Sequence, residues 1–152
     1  MNIFPGDKQS RLLELLGQEL EVFRQVSELT KQHTKLLRED DIEAFDKSLD
    51  SRQELFDKIN GLHQESDILM QSYISFISAE GGEKIGAIET AAAQLREMIS
   101  DCIATNNENT TSAKEKAEDY IKQIGKLSLG RKSLGAYVQQ MPNDPEMFDK
   151  KM

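Results

Sequence analysis

The sequence predicts an all-α fold, an elongated antiparallel three-helix bundle or coiled coil with a long third helix. Three observations carry this. Apolar residues recur in alternating steps of three and four along three long stretches, the spacing that lays a stripe along one face of an α-helix. Pro is absent between Asp7 and Met141, so no imino acid forces those stretches to break. Charged residues make up 30% of the 152 and hydrophobic residues 38%, a balance that suits slender helices burying one stripe each and solvating the rest. No strand-like alternation and no repeat of fixed length competes with this reading.

The first helix is expected over 8–37. Asp7, after the Pro5-Gly6 turn, has the chemistry of an N-cap. One stripe reads Leu15, Glu19, Val22, Val26, Leu29, His33 and Leu36, beside a second of Leu12, Leu16, Leu20 and Phe23. Together they are wider than a two-stranded seam and suit a bundle. Glu19 and His33 interrupt the first stripe with polar groups.

The run Arg38-Glu39-Asp40-Asp41 breaks the pattern, and Asp40 followed by Glu43 has the spacing of a capping box. A second helix is expected over 41–79. It opens with Ile42, Phe45, Leu49, Arg52 and Phe56, then continues with Leu55, Ile59, Leu62, Ser66, Leu69, Tyr73 and Phe76. The two stripes differ in register, which predicts a bend or a change of partner near Arg52. Gly81-Gly82 closes the helix, since Gly readily takes the left-handed conformation past a helix end.

The third helix is expected over 83–139, with a bend possible near 106–112. Its stripe reads Ile85, Ile88, Ala92, Leu95, Ile99, Cys102, Asn106, Asn109, Ala113, Ala117, Tyr120, Ile124, Leu127, Arg131, Leu134 and Val138. Asn106, Asn107, Asn109, Thr110, Thr111 and Ser112 are poor helix formers. Gly125, Gly130 and Gly135 each cost about 1 kcal/mol relative to Ala, so the last part is marginal on its own. Residues 141–152, opening Met141-Pro142-Asn143-Asp144-Pro145, are expected to be a disordered tail.

The formal charge is 19 − 27 = −8, which excludes nucleic acid as a general partner. The charge is uneven: Lys114, Lys116, Lys122, Lys126, Arg131 and Lys132 oppose only Glu115, Glu118 and Asp119 over 114–132. The N-terminus lacks the basic-then-apolar order of a signal peptide, and no window has the apolar length of a membrane span. A cytoplasmic location without membrane insertion is the expectation. The single Cys, Cys102, falls in an apolar register and reads as a small buried hydrophobe.

The residues that carry catalysis are missing. His33 and His63 stand on different helices, and there is no H-E-x-x-H, no paired Cys and no Gly-rich phosphate loop. The sequences after His33 and His63 also differ from the H-x-x-K-G pattern of phosphorelay bundles. No enzyme, cofactor or metal site is expected. What remains is surface for helix pairing. Ala117, Tyr120, Ile121, Ile124, Leu127, Leu134, Tyr137 and Val138 form a stripe beyond the polar belt. If the first two helices cover only the first part of the third, this stripe is free to dock a partner's amphipathic helix. If the helices are staggered, it is core.

The order of these features resembles the FlgN family of flagellar export chaperones. The second helix opens Asp41-Ile42-Glu43-Ala44-Phe45, and Leu49, Arg52 and Phe56 fit the family's L-x-x-x-[KR]-x-x-L after the acidic break. Asn106 and Asn109 match N-x-x-N in the third helix. The run Gly130-Arg131-Lys132-Ser133-Leu134 leading to Tyr137 is similar to the family's C-terminal segment, although Val138 stands where the family commonly has Gly. The resemblance implies a cytosolic chaperone that binds hook-associated, hook–filament junction subunits. It would mask their assembly helices and present them to the flagellar export apparatus. The alternative is a self-associating structural or regulatory coiled coil.

Overall fold

The computed structural model describes residues 3–123, and among these it contains three helices and no strand. They are α1 (Gly6–Arg38), α2 (Ile42–Ser78) and α3 (Gly86–Gln123). α1 packs closely against both of the others, while α2 and α3 approach each other less closely. Cross-helix contacts give the directions. Arg11 near the start of α1 pairs with Glu65 late in α2, so these two run antiparallel. Cys102 lies beside Phe23, Asn109 beside Thr30 and Lys116 beside Asp40, so α3 runs parallel to α1. The path is up, down, up, as the sequence predicts.

α1 begins one residue before the expected cap. Pro5 occupies the cap position with φ −54° and ψ 133° and makes no side-chain cap bond. Its carbonyl accepts from the Gln9 amide at 2.9 Å, which leaves Asp7 inside the first turn rather than ahead of it. There its charge faces the positive end of the helix dipole. Phe4 fixes this entry: it is buried, with its ring centroid 5.5 Å from those of Tyr73 and Phe76 of α2.

The buried face of α1 also differs from the strict stripe. Thr30 and Leu37 are buried where Leu29 and Leu36 are only half-buried. A straight helix turns slightly less than a seven-residue repeat requires, so its buried face drifts by about 20° per heptad. Two successive steps of four, Val22 to Val26 to Thr30, absorb that drift.

The cap of α2 is Asp41, not Asp40. Asp41 Oδ1 accepts from the Ala44 amide at 3.2 Å. Asp40 has φ 57°, in the left-handed region where Asp is better tolerated than most residues, and it closes the end of α1 instead. α2 does not change register at Arg52. Phe45, Leu49, Arg52, Phe56, Ile59, Ser66, Tyr73 and Phe76 are all buried along one unbroken helix. The Leu55, Leu62 and Leu69 set lies half-buried at its flank.

The turn between α2 and α3 spans residues 79–85. Gly81 has φ 70°, and the Gly82 amide donates to the Phe76 carbonyl at 2.8 Å. A Cβ on Gly82 would overlap the Phe76 ring, so this glycine is needed for close approach. α3 starts at Gly86, three residues after the expected 83. The Ile85 amide is taken by the Tyr73 hydroxyl at 2.9 Å, and that hydroxyl donates to Glu89 Oε2 at 3.0 Å.

Candidate functional site

Polar side chains at core positions define the middle of the bundle. Arg52 is 1% exposed. Its Nη1 donates to Asn106 Oδ1 at 3.2 Å and approaches Thr30 Oγ1 at 3.4 Å, and its guanidinium lies 5.7 Å from the Phe56 ring centroid. Asn109 Nδ2 donates to the Thr30 carbonyl at 2.8 Å, and Thr34 Oγ1 donates to Asn109 Oδ1 at 2.7 Å. All three helices therefore meet in one hydrogen-bonded layer. The layer explains why α3 continues through Asn106 and Asn109: their amides satisfy groups on its neighbours, which offsets their weak helix propensity.

Next to the layer, His33 is fully buried with Nε2 2.8 Å from Ser48 Oγ. Burial first, then the charge of Arg52, pushes its pKa down to about 3, so the ring is neutral at physiological pH. Cys102 is buried, its Sγ 3.7 Å from the Phe23 carbonyl, and burial pushes its thiol up to about 11. It is a protonated core residue, as its register predicts. Among the described residues no group of three or more His, Cys, Asp or Glu could hold a metal ion.

Towards the other end, Glu19 is 1% exposed. Its Oε1 accepts from Ser66 Oγ at 2.7 Å and lies 3.5 Å from His63 Nδ1. Burial raises its pKa, against the opposing pull of Ser66 and His63. Glu19 lines a half-open groove of about 330 Å³ between α2 and α3, whose walls mix apolar Leu16, Met70, Ile74 and Ala92 with charged Asp67, Lys84, Glu89 and Arg96. α1 contributes Leu16 and Glu19 to its lining.

The predicted docking stripe begins where the bundle ends. Lys116 of α3 pairs with Asp40 in the turn between α1 and α2. Residues 117–123 therefore run about 10 Å past that turn at about 1.5 Å per residue. Ala117 and Tyr120 are half-buried against the edge of the core, and Ile121 is 51% exposed. The structure thus places the first three stripe residues at and beyond the open end. Ile124, Leu127, Leu134, Tyr137 and Val138 lie outside the described residues.

Sequence reasoning marked Glu19, His33, Arg52, Ser66, Asn106 and Asn109 as polar residues in apolar stripes, without pairing them. It missed Thr30, Thr34 and the groove. The available signal was that polar residues interrupt all three stripes, since buried polar groups need partners of their own kind.

No curated protein and no solved structure matches the chain. A family model described as FlgN protein matches residues 1–132. That match covers most of the chain, including both Asn of the polar layer, Arg52 and the first part of the stripe, and so the chain belongs to the FlgN family of flagellar export chaperones.

Proposed function

We propose that this chain is a cytoplasmic, non-enzymatic chaperone for hook–filament junction subunits. It holds their amphipathic assembly helices on the stripe of Ala117, Tyr120, Ile121, Ile124, Leu127, Leu134, Tyr137 and Val138, and delivers them to the export apparatus. The observation that carries this is the projection of α3 beyond the α1–α2 turn, where Ile121 is exposed and no other helix among the described residues covers it. An apolar stripe leaving a scaffold is what helix-in-groove or helix-pairing recognition needs. Masking the assembly helix of a subunit keeps its own apolar face from premature association. No described helix is long and apolar enough to cross a membrane, which agrees with a chaperone acting before export.

The test is limited proteolysis of residues 113–138 with and without a purified junction subunit. Protection is expected on adding the subunit. The variant carrying Ile124→Asp and Leu127→Asp should lose binding while its helical circular dichroism and thermal midpoint stay near those of the parent. Unchanged protease sensitivity in the presence of the subunit would sink the docking reading. Global unfolding of the double variant would show instead that the stripe is core.

A further inference from the structure

The outer face of α2 changes character halfway along. Its exposed stripe begins with Glu43, Asp46, Asp50, Gln53 and Asp57, four of them acidic. In the same steps of three and four it continues as Gly61, Gln64, Ile68, Gln71, Ser75 and Ser78, all exposed and none charged. Residues 68–79 contain no charged residue at all, in a chain of which 30% is charged. A solvated helix face normally carries charge, as the first half of this stripe does. The core of a protein interface is depleted of charge. Ile68, 70% exposed, stands in the middle of the second half. Gly61 is a separate observation. It lies inside α2, where Gly costs about 1 kcal/mol relative to Ala, yet a Cβ there would meet nothing within 4 Å. The bundle has no use for a glycine at that point, whereas a second helix approaching α2 closely does.

Charge selects both the occupant and its direction. Each copy of the chain carries a formal charge of −8, so copies repel except where the facing surfaces are neutral. The stripe over 61–78 is such a surface, and two copies of it meet without opposing like charges. Glu65 and Asp67 flank the stripe rather than lie in it, and Glu65 is held by Arg11. A parallel pairing of α2 with α2 of another copy would set the two acidic halves side by side, which is costly. An antiparallel pairing sends them to opposite ends, clear of the overlap.

We propose that residues 61–78 of α2 pair antiparallel with the same residues of a second copy of this chain, about a twofold axis between Ile68 and Gln71. Ile68 then meets Gln71 of the other copy, Gln64 meets Ser75, and Gly61 meets Ser78. The overlap is about 26 Å long at about 1.5 Å per residue. The contact is isologous and closes as a dimer. Residues 117–123 lie at the other end of the bundle, beyond the turn at Asp40, so the two projecting ends of α3 in the dimer point apart. The pairing goes beyond the export reading and does not rest on it, since its tests contain no subunit.

Sedimentation of the full-length chain over a range of concentrations should show a reversible dimer. Ile68→Asp should weaken it at least tenfold, because it removes an apolar contact and sets two carboxylates near the axis. Gln71→Glu should act in the same direction. Both side chains are exposed, so circular dichroism should stay that of the parent. Asp50→Asn, outside the overlap, should leave the dimer unchanged, whereas a parallel pairing would be strengthened by it. On mild oxidation, copies carrying Gln64→Cys mixed with copies carrying Ser75→Cys should form a disulfide between chains, and neither variant should do so alone; the native Cys102 is buried. A chain that stays monomeric throughout, a dimer indifferent to Ile68→Asp and Gln71→Glu, or a disulfide formed by either cysteine variant alone would each overturn the proposal.

Discussion

Acid should loosen this bundle through His33. The ring is fully buried, hydrogen-bonded to Ser48 and edge-on to Phe45 at 5.4 Å between centroids. Its pKa is held down to about 3, against 6.5 for the free side chain. The folded state therefore keeps His33 neutral while the unfolded chain takes up a proton below about pH 6.5. A depressed pKa has a definite sign here: its contribution to stability is full above 6.5 and is lost as pH falls from 6.5 towards 3. Each unit is worth about 1.36 kcal/mol, so at pH 5.0 the loss is about 2 kcal/mol. That is a large part of the stability of a small domain. Urea unfolding followed by circular dichroism at pH 7.5 and 5.0 measures it, comparing the parent with His33→Gln, whose amide can still reach Ser48. Carboxylates titrate in both proteins and cancel in the difference. The parent should lose about 2 kcal/mol more than the variant between the two pH values. Equal losses would refute the assignment of a buried, neutral His33.

Other perturbations read the same packing. Arg52→Ala removes the bonds to Asn106 and Thr30 and the stacking over Phe56, and should lower stability by about 3 kcal/mol in urea unfolding. Gly82→Ala pushes a methyl group into the Phe76 ring and should cost about 1 to 3 kcal/mol, seen as a lower thermal midpoint. Asp41→Ala removes the α2 cap and should cost about 1 kcal/mol, whereas Asp40→Ala should act only through the αL backbone and the Lys116 ion pair.

Much of the fold was legible in the sequence because burial has a period. The α3 stripe from Ile88 to Ala113 is buried as its spacing predicts, Asn residues included. What escaped depends on geometry that spacing does not encode. The shift from Leu29 to Thr30 comes from accumulated helix drift, and the α1 and α2 caps moved by two residues and by one because Pro5 and Asp40 took up the neighbouring turns. The start of α3 moved because a tyrosine hydroxyl from another helix captured the Ile85 amide. At the site, each polar interruption was visible in its own stripe. Its partner was not, since Arg52 and Asn106 lie 54 residues apart and meet only through the relative register of two helices.

That register is where the polar layer bears on the proposed function. Apolar stripes in steps of three and four repeat nearly every seven residues, so α3 could slide by one heptad and still bury a comparable face. The layer distinguishes those positions. A slide of seven residues would set Ile99 or Ala113 against Arg52 in place of Asn106, and Cys102 or Lys116 against Thr30 in place of Asn109. Neither Ile nor Ala can accept from a guanidinium, and a buried charge left without its hydrogen bonds costs several kcal/mol, more than one or two lost methyl contacts. The layer thus selects one alignment of α3 on the α1–α2 hairpin. The consequence is felt at the far end. A heptad is about 10.5 Å of helix, comparable to the whole stretch by which residues 117–123 outrun the turn at Asp40. Sliding one way would draw Ala117, Tyr120 and Ile121 back among α1 and α2. Sliding the other way would strip Ala113 and Asn109 from their packing. A buried Arg and two buried Asn, which look like defects in an apolar core, are what set how much of the stripe stands clear of the bundle.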